Sequence, residues 1–180
     1  ARGAQLQRDQ ARAHDAHPSA SKPVARLARL ELGRGKAAEA MLILDTLLKQ
    51  NSGDTEILDL WCLGLTALRQ WAPLEQTASK WCASERANPK PWRHLACALV
   101  ELGRPREATA ALLNALAISP PSAEDLSELG GLFLHTHDYE RAFDALRRAE
   151  ALDPELPSML SKLALLHMFH GRLEEAGNCA

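Results

Sequence analysis

The sequence predicts an all-α fold, an α-solenoid of antiparallel helix hairpins, and three observations carry that prediction. Ala and Leu supply much of the apolar surface, aromatics are only 4% and β-branched residues are few, a composition suited to closely packed helices and poor for a sheet. Between Pro89 and Ser122, Trp92, Leu95, Ala96 and Leu99 fall at i, i+3, i+4 and i+7, and Ala108, Leu112, Ala115 and Leu116 form a second such stripe. Gly103-Arg104-Pro105 separates the two stripes and Pro120 closes the second. The same arrangement recurs along the chain with a period near 34 residues. One hairpin cannot bury its own stripe, so tandem copies are needed to share an interior.

In chain order, residues 1–20 are polar and rich in Ala, Gln and Arg. They read as a leader, or as the second helix of a preceding repeat with Pro18 as its terminal proline. The first repeat spans 21–54, with a helix from Ser21 to about Leu32, breakers at Gly33 and Gly35, and a second helix from Lys36 to about Gln50. The second spans 55–88 and is degenerate: Trp61 is matched to Trp92, and Trp71-Ala72-Pro73 stands where a turn glycine is expected. Val24 to Trp61 is 37 residues and Trp61 to Trp92 is 31, which predicts an insertion and a compensating deletion. Trp61 and Trp81 are assigned to the core; Trp71 either packs over the turn or marks a contact surface.

The third repeat spans 89–122 and the fourth 123–156, where Ser122 with Asp125 three residues on is a helix-start signal. The fifth, 157–180, begins with Pro157 as first helical residue, turns at Gly171 and places Ala176 on a second helix. Both ends read as cuts in a larger protein, whose next repeat or capping helix covers the last apolar face.

The runs Leu126-x-x-Leu129-Gly130-x-x-Phe133, Ala142-x-x-x-Leu146-x-x-Ala149 and then Pro154 resemble the tetratricopeptide repeat (TPR), over roughly residues 21 to 180. The resemblance implies a superhelix whose concave face, lined by first helices, takes an extended peptide or a helix from a protein partner. Carried onto this chain, that groove comprises Arg29, Cys62, Thr66, Arg69, Gln70, Arg93, Cys97, Glu101, Ser127, Gly131 and His135. Two specialised forms of the family are not matched. The places of a co-chaperone carboxylate clamp read Ala25 and Arg29, Cys62 and Thr66, Arg93 and Cys97, without asparagine. The places of the asparagine ladder of the O-linked glycosyltransferases read Arg26, Leu63, His94, Glu128 and Lys162.

Charge and motif content narrow the function further. The net charge of −2 gives no electrostatic footprint for nucleic acid, although residues 1–40 carry eight Lys/Arg against four Asp/Glu. No apolar run reaches the ~18 residues a membrane span needs. Cys62, Cys82, Cys97 and Cys179 form no metal-ligand spacing and read as buried thiols of a reducing, cytoplasmic compartment. There is no phosphate loop, nucleophile elbow or H-E-x-x-H, so neither an enzyme nor a cofactor is expected. Gly130-Gly131, mid-helix, reads as a close helix contact. His135, His137, His167 and His170 are weighed as a metal cluster and assigned to structure. The expected function is a non-enzymatic protein-interaction module. The alternative is the repeat region of a bacterial sulfotransferase or glycosyltransferase type of enzyme, docking its substrate protein or mediating dimerisation; a homodimer formed through the end faces is a further expectation.

Overall fold

The computed structural model describes residues 18–51 and 53–178, with side chains placed for 22–51 and 53–168. The described residues are helical, joined by short turns, and fall into two compact units, Ala1–Pro73 and Leu74–Ala180. The first contains α1 (Pro18–Gly33), α2 (Ala37–Gln50) and α3 (Thr55–Ala67). Ala25 and Ala28 of α1, Leu44 and Leu47 of α2, and Ile57 and Leu60 of α3 make one buried cluster, with Met41 and Trp61 packed at its edge. Gly64 permits this approach: a Cβ there would stand 2.4 Å from Met41 Sδ. Asp54 caps α3 by accepting from the amides of Glu56 and Ile57 at 2.8 and 3.2 Å.

The second unit holds most of α4 (Trp71–Ser84), then α5 (Pro89–Glu101), α6 (Pro105–Ile118), α7 (Ala123–His135), α8 (Tyr139–Leu152) and α9 (Pro157–Asn178). Its core is continuous from Ala96 and Leu99 through Ala108, Leu112, Leu126, Phe133 and Leu146 to Met159, Leu163 and Leu166; Trp92 and Leu95 pack against it. Gly130 lets α7 and α8 meet, since a Cβ would lie 2.6 Å from Leu146 Cγ.

The period is regular. Helices start at 37, 71, 105 and 139, and at 55, 89, 123 and 157, in steps of 34. Four hairpin turns carry a left-handed residue at the same step: Gly35, Arg69, Gly103 and His137, with φ of 77°, 54°, 72° and 59°. In each turn the next amide reaches the carbonyl five residues back at 2.9 Å: Lys36 to Glu31, Gln70 to Leu65, Arg104 to Leu99, Asp138 to Phe133. The left-handed residue donates to the carbonyl three back at 3.0–3.1 Å. These are the paired bonds of the Schellman motif, which satisfy carbonyls that a helix end leaves open.

Several expectations are corrected by this regularity. Trp61 is not the counterpart of Trp92. Leu58 stands 34 residues before Trp92, Trp61 matches Leu95, and no insertion or deletion separates the copies. The second turn lies at Arg69, and Trp71 is the half-buried first residue of α4. The second copy looked degenerate because its buried volumes are exchanged. Where α6 buries Ala108, Leu112 and Ala115, α4 buries Leu74, Ala78 and Trp81, none more than 2% exposed. Pro18 is the first described residue of α1, and the reading of the preceding segment as a leader or a helix falls on residues 1–17, outside the described residues. α9 runs unbroken through Gly171 to Asn178, so a turn at Gly171 and a second helix bearing Ala176 are absent. A lone helical glycine costs about 1 kcal/mol, which by itself does not end a helix.

Arg69 and His137 adopt a backbone conformation that a Cβ disfavours. Arg69→Gly should therefore raise stability by about 0.5–1 kcal/mol, and Gly103→Ala, whose φ is 72°, should lower it by about 1 kcal/mol, both measured by urea denaturation.

Candidate peptide-binding groove

In the second unit the last turn of α5, the exposed face of α7 and the first turns of α9 enclose an open hollow of about 340 Å³. Its lining comprises Val100, Glu124, Ser127, Glu128, Gly131, Leu132, His135, Ser158 and Lys162. Of the predicted groove residues, Ser127, Gly131 and His135 are brought together here. Val100, Glu124, Leu132 and Ser158 were not anticipated, and Glu128 and Lys162 were noted only as ladder positions. The signal was the 34-residue step itself, which carries Glu124 onto Ser158 and Glu128 onto Lys162.

The floor is set by one long side chain crossing one small residue. Lys162 Nζ donates to the carbonyl of Ser127 at 2.8 Å and to its hydroxyl at 3.1 Å, and Ser127 Oγ lies 3.1 Å from Ser158 Oγ. The lysine stem passes over Gly131, where a Cβ would approach Lys162 Cε to 3.0 Å. Burial pushes the Lys162 ammonium below its ordinary value, with the Glu128 carboxylate opposing that shift. Glu128 is pushed up, by burial first and by the charge of Asp125, with Lys162 opposing. Much of its residue surface is open, but its carboxyl is crowded by the groove walls.

The remaining predicted residues have other roles. Arg93 is committed to the fold: its guanidinium donates Nε to Asp125 Oδ1 at 2.9 Å, and Nη2 to Asp125 Oδ2 at 2.8 Å and to Ser119 Oγ at 3.0 Å. Asp125 also closes the capping box of α7, accepting from the Ser122 amide at 3.2 Å while its own amide donates to Ser122 Oγ at 3.1 Å. Cys97 is half-buried on α5, and Glu101 is the exposed last residue of that helix. Burial, then the charges of Glu128 and Glu101, push the Cys97 thiol up to about 11.

In the first unit, Cys62 is fully buried at 0% exposure and offers a ligand no surface, which removes it from the predicted groove. Thr66 turns its hydroxyl back to the Cys62 carbonyl at 2.9 Å. Arg29 pairs with Glu56 at 3.0 Å. Arg69 and Gln70 are exposed residues of the turn, and the Gln70 amide is part of the turn bonding. The histidines divide: His135 and His137 line a separate hollow of about 420 Å³ beside the Gly103–Glu107 turn. His167 meets Phe143 edge-on at 6.1 Å. The side chain of His170, and Cys179, lie outside the described residues. Cys62, Cys82 and Cys97 form no disulfide among the described residues.

Solved structures with the same arrangement of helices decide the fold. The thermophilic TPR protein TTC0263 of Thermus thermophilus superposes with a TM-score of 0.72, at 23% identity, over 86% of this chain and 85% of its own. The chain has the tetratricopeptide-repeat fold. A TPR protein of Parabacteroides merdae matches at TM-score 0.70 and 15% identity, over 84% of this chain and 59% of its own. A chain of the APC/C hetero-tetramer Cut9–Hcn1 matches at 0.71 and 15%, over 84% of this chain and 29% of its own. No family model and no curated protein sequence matches. At these identities the TPR likeness fixes the helix arrangement and leaves the groove chemistry to be read from this chain's own residues. No described helix is long and apolar enough to cross a membrane.

Asp125 serves both an ion pair and a helix cap. Asp125→Ala should cost about 2–3 kcal/mol in denaturant titration, and the Arg93→Ala/Asp125→Ala double variant should lose less than the sum of the singles. With its thiol near 11, Cys97 holds a thiolate fraction at pH 8 about a hundredfold below that of an unperturbed cysteine. Alkylation followed by peptide mass spectrometry should show a correspondingly slow reaction that becomes fast in urea.

Proposed function

We propose that this chain is a non-enzymatic protein-interaction module whose groove along α5, α7 and α9 receives an extended segment of a partner protein. The reading is carried by the hollow over Gly131, where small and apolar residues form a floor between polar side chains from two helices, α7 and α9. Val100 and Gly131 offer apolar surface, the Ser127–Ser158–Lys162 network holds that surface in one shape, and Glu124, Glu128 and His135 supply polar contacts at its edges. Of the other residues named from the sequence, Cys97 feels the charges of Glu128 and Glu101, while Arg93 pairs with Asp125 of α7. The TPR chain found in the Cut9–Hcn1 hetero-tetramer belongs to a protein assembly, in keeping with a protein partner here. No observation favours the reading as the repeat region of an enzyme.

A random peptide library displayed on phage and selected against the wild-type chain tests the groove. Peptides recovered should lose at least tenfold in affinity for a His135→Trp/Ser158→Trp variant, which fills the hollow from both ends, and should bind normally to Leu113→Trp on the exposed face of α6. Equal binding to all three proteins, each shown folded by circular dichroism, would place the contact elsewhere.

A further inference from the structure

We propose that the groove over Gly131 selects partner segments that carry Lys or Arg beside an apolar residue, and disfavours acidic ones. This inference rests on the groove assignment above and adds to it the charge class of the partner.

It follows from which charges are already committed inside the protein. Two cations bear on this surface. Arg93 gives three of its five donors to Asp125 and Ser119, and Asp125 is itself only 8% exposed, so the charge of Arg93 is already paired. Lys162 is held over Gly131 by two bonds to Ser127, which take two of its three N–H donors, and it is partly desolvated, so it has one donor left for a ligand. The carboxylates are in the opposite position. Glu124 and Glu128 line the hollow, and Glu101 stands close enough to Cys97, as does Glu128, to perturb its thiol. None of the three has a side-chain hydrogen bond or ion pair among the described residues, and the charge of Lys162 offsets that of Glu128 only at longer range.

The unpaired charge open to a partner is therefore negative, while the cations are bonded to groups of the protein. An arriving Lys or Arg would neutralise Glu128, whose charge is disfavoured by its crowded position, and an apolar neighbour would cover Val100 and the Gly131 backbone. An arriving carboxylate would meet like charge and cations already bonded to Asp125, Ser119 and Ser127. Gly131 enters the selection indirectly: a larger residue there would push the Lys162 stem off its path and free its ammonium toward the groove.

Two synthetic nonapeptide pools test this by fluorescence anisotropy, each with Leu or Val at the central position, one with flanking positions drawn from Lys and Arg and the other from Asp and Glu. The basic pool should bind more tightly by at least tenfold and weaken as salt is raised from 50 to 500 mM. Glu124→Gln/Glu128→Gln should cost it about fivefold, and Glu128→Lys should narrow or reverse the preference between pools. Equal or tighter binding of the acidic pool overturns the charge assignment, as does a basic pool indifferent to the glutamine variant. The His135→Trp/Ser158→Trp variant separates the two claims. If it abolishes binding of whichever pool is preferred, the groove stands and only its charge class is at issue. If it abolishes none, or if neither pool binds the wild-type chain, both claims are overturned.

Discussion

The structure depends on a packing constraint repeated every 34 residues: the apolar stripe of a first helix is covered by small and large residues set in fixed order on the second. In the second unit, Ala108 and Ala142 allow the second helices to approach, while Leu112 and Leu146 fill the space left beneath Ala96 and Gly130. Interiors pack to the density of organic crystals, so the sum of volumes at such a layer matters more than the identity of any one residue. The exchange in α4, with Leu74, Ala78 and Trp81 at the buried places, shows a layer filled in the reverse order. It has a consequence: the Trp81 indole N–H is buried without a hydrogen-bond partner among the described residues, and its ring stacks on His94 at 6.2 Å.

The hairpin turn keeps that layer in step. A residue in the left-handed conformation reverses the chain after the same number of first-helix residues each time, and the two backbone bonds of the motif satisfy the carbonyls exposed there. Because the turn is built from backbone, Arg and His are accepted at a position glycine fills best. Constant connection length then puts residues 34 apart on equivalent faces. That is how Glu128 and Lys162, of opposite charge, come to occupy equivalent places on α7 and α9 and to interact across the groove.

Much of the helix pattern was legible in the sequence, since periodic stripes, glycines and prolines report directly on backbone and burial. The hairpins around Trp92 and Leu126 were read correctly because their small and large residues follow the usual order. The second copy was misaligned by three residues for a physical reason: tryptophan is conspicuous but not positional, and Trp61 packs where Leu95 packs, not where Trp92 does. The Arg69 turn was missed because backbone conformation, and not glycine, defines it. The candidate site was less legible. Sequence spacing identified the face that holds Ser127, Gly131 and His135, but it could not show that Arg93 is spent on Asp125 or that Lys162 bends back to Ser127. Those are choices of long side chains among several partners, decided by three-dimensional proximity.

The account therefore rests on the regular step, because the inward and outward faces of every helix follow from it. The most direct check is the backbone conformation at Arg69, obtained by NMR from its HN–Hα coupling and the nuclear Overhauser contacts of the Gln70 amide. A positive φ at Arg69, with the Gln70 amide protected from solvent exchange by its bond to Leu65, is the predicted result. A helical φ at Arg69 with the chain reversing at Trp71–Pro73 would contradict it, and would shift every assignment of the second copy by about a helical turn.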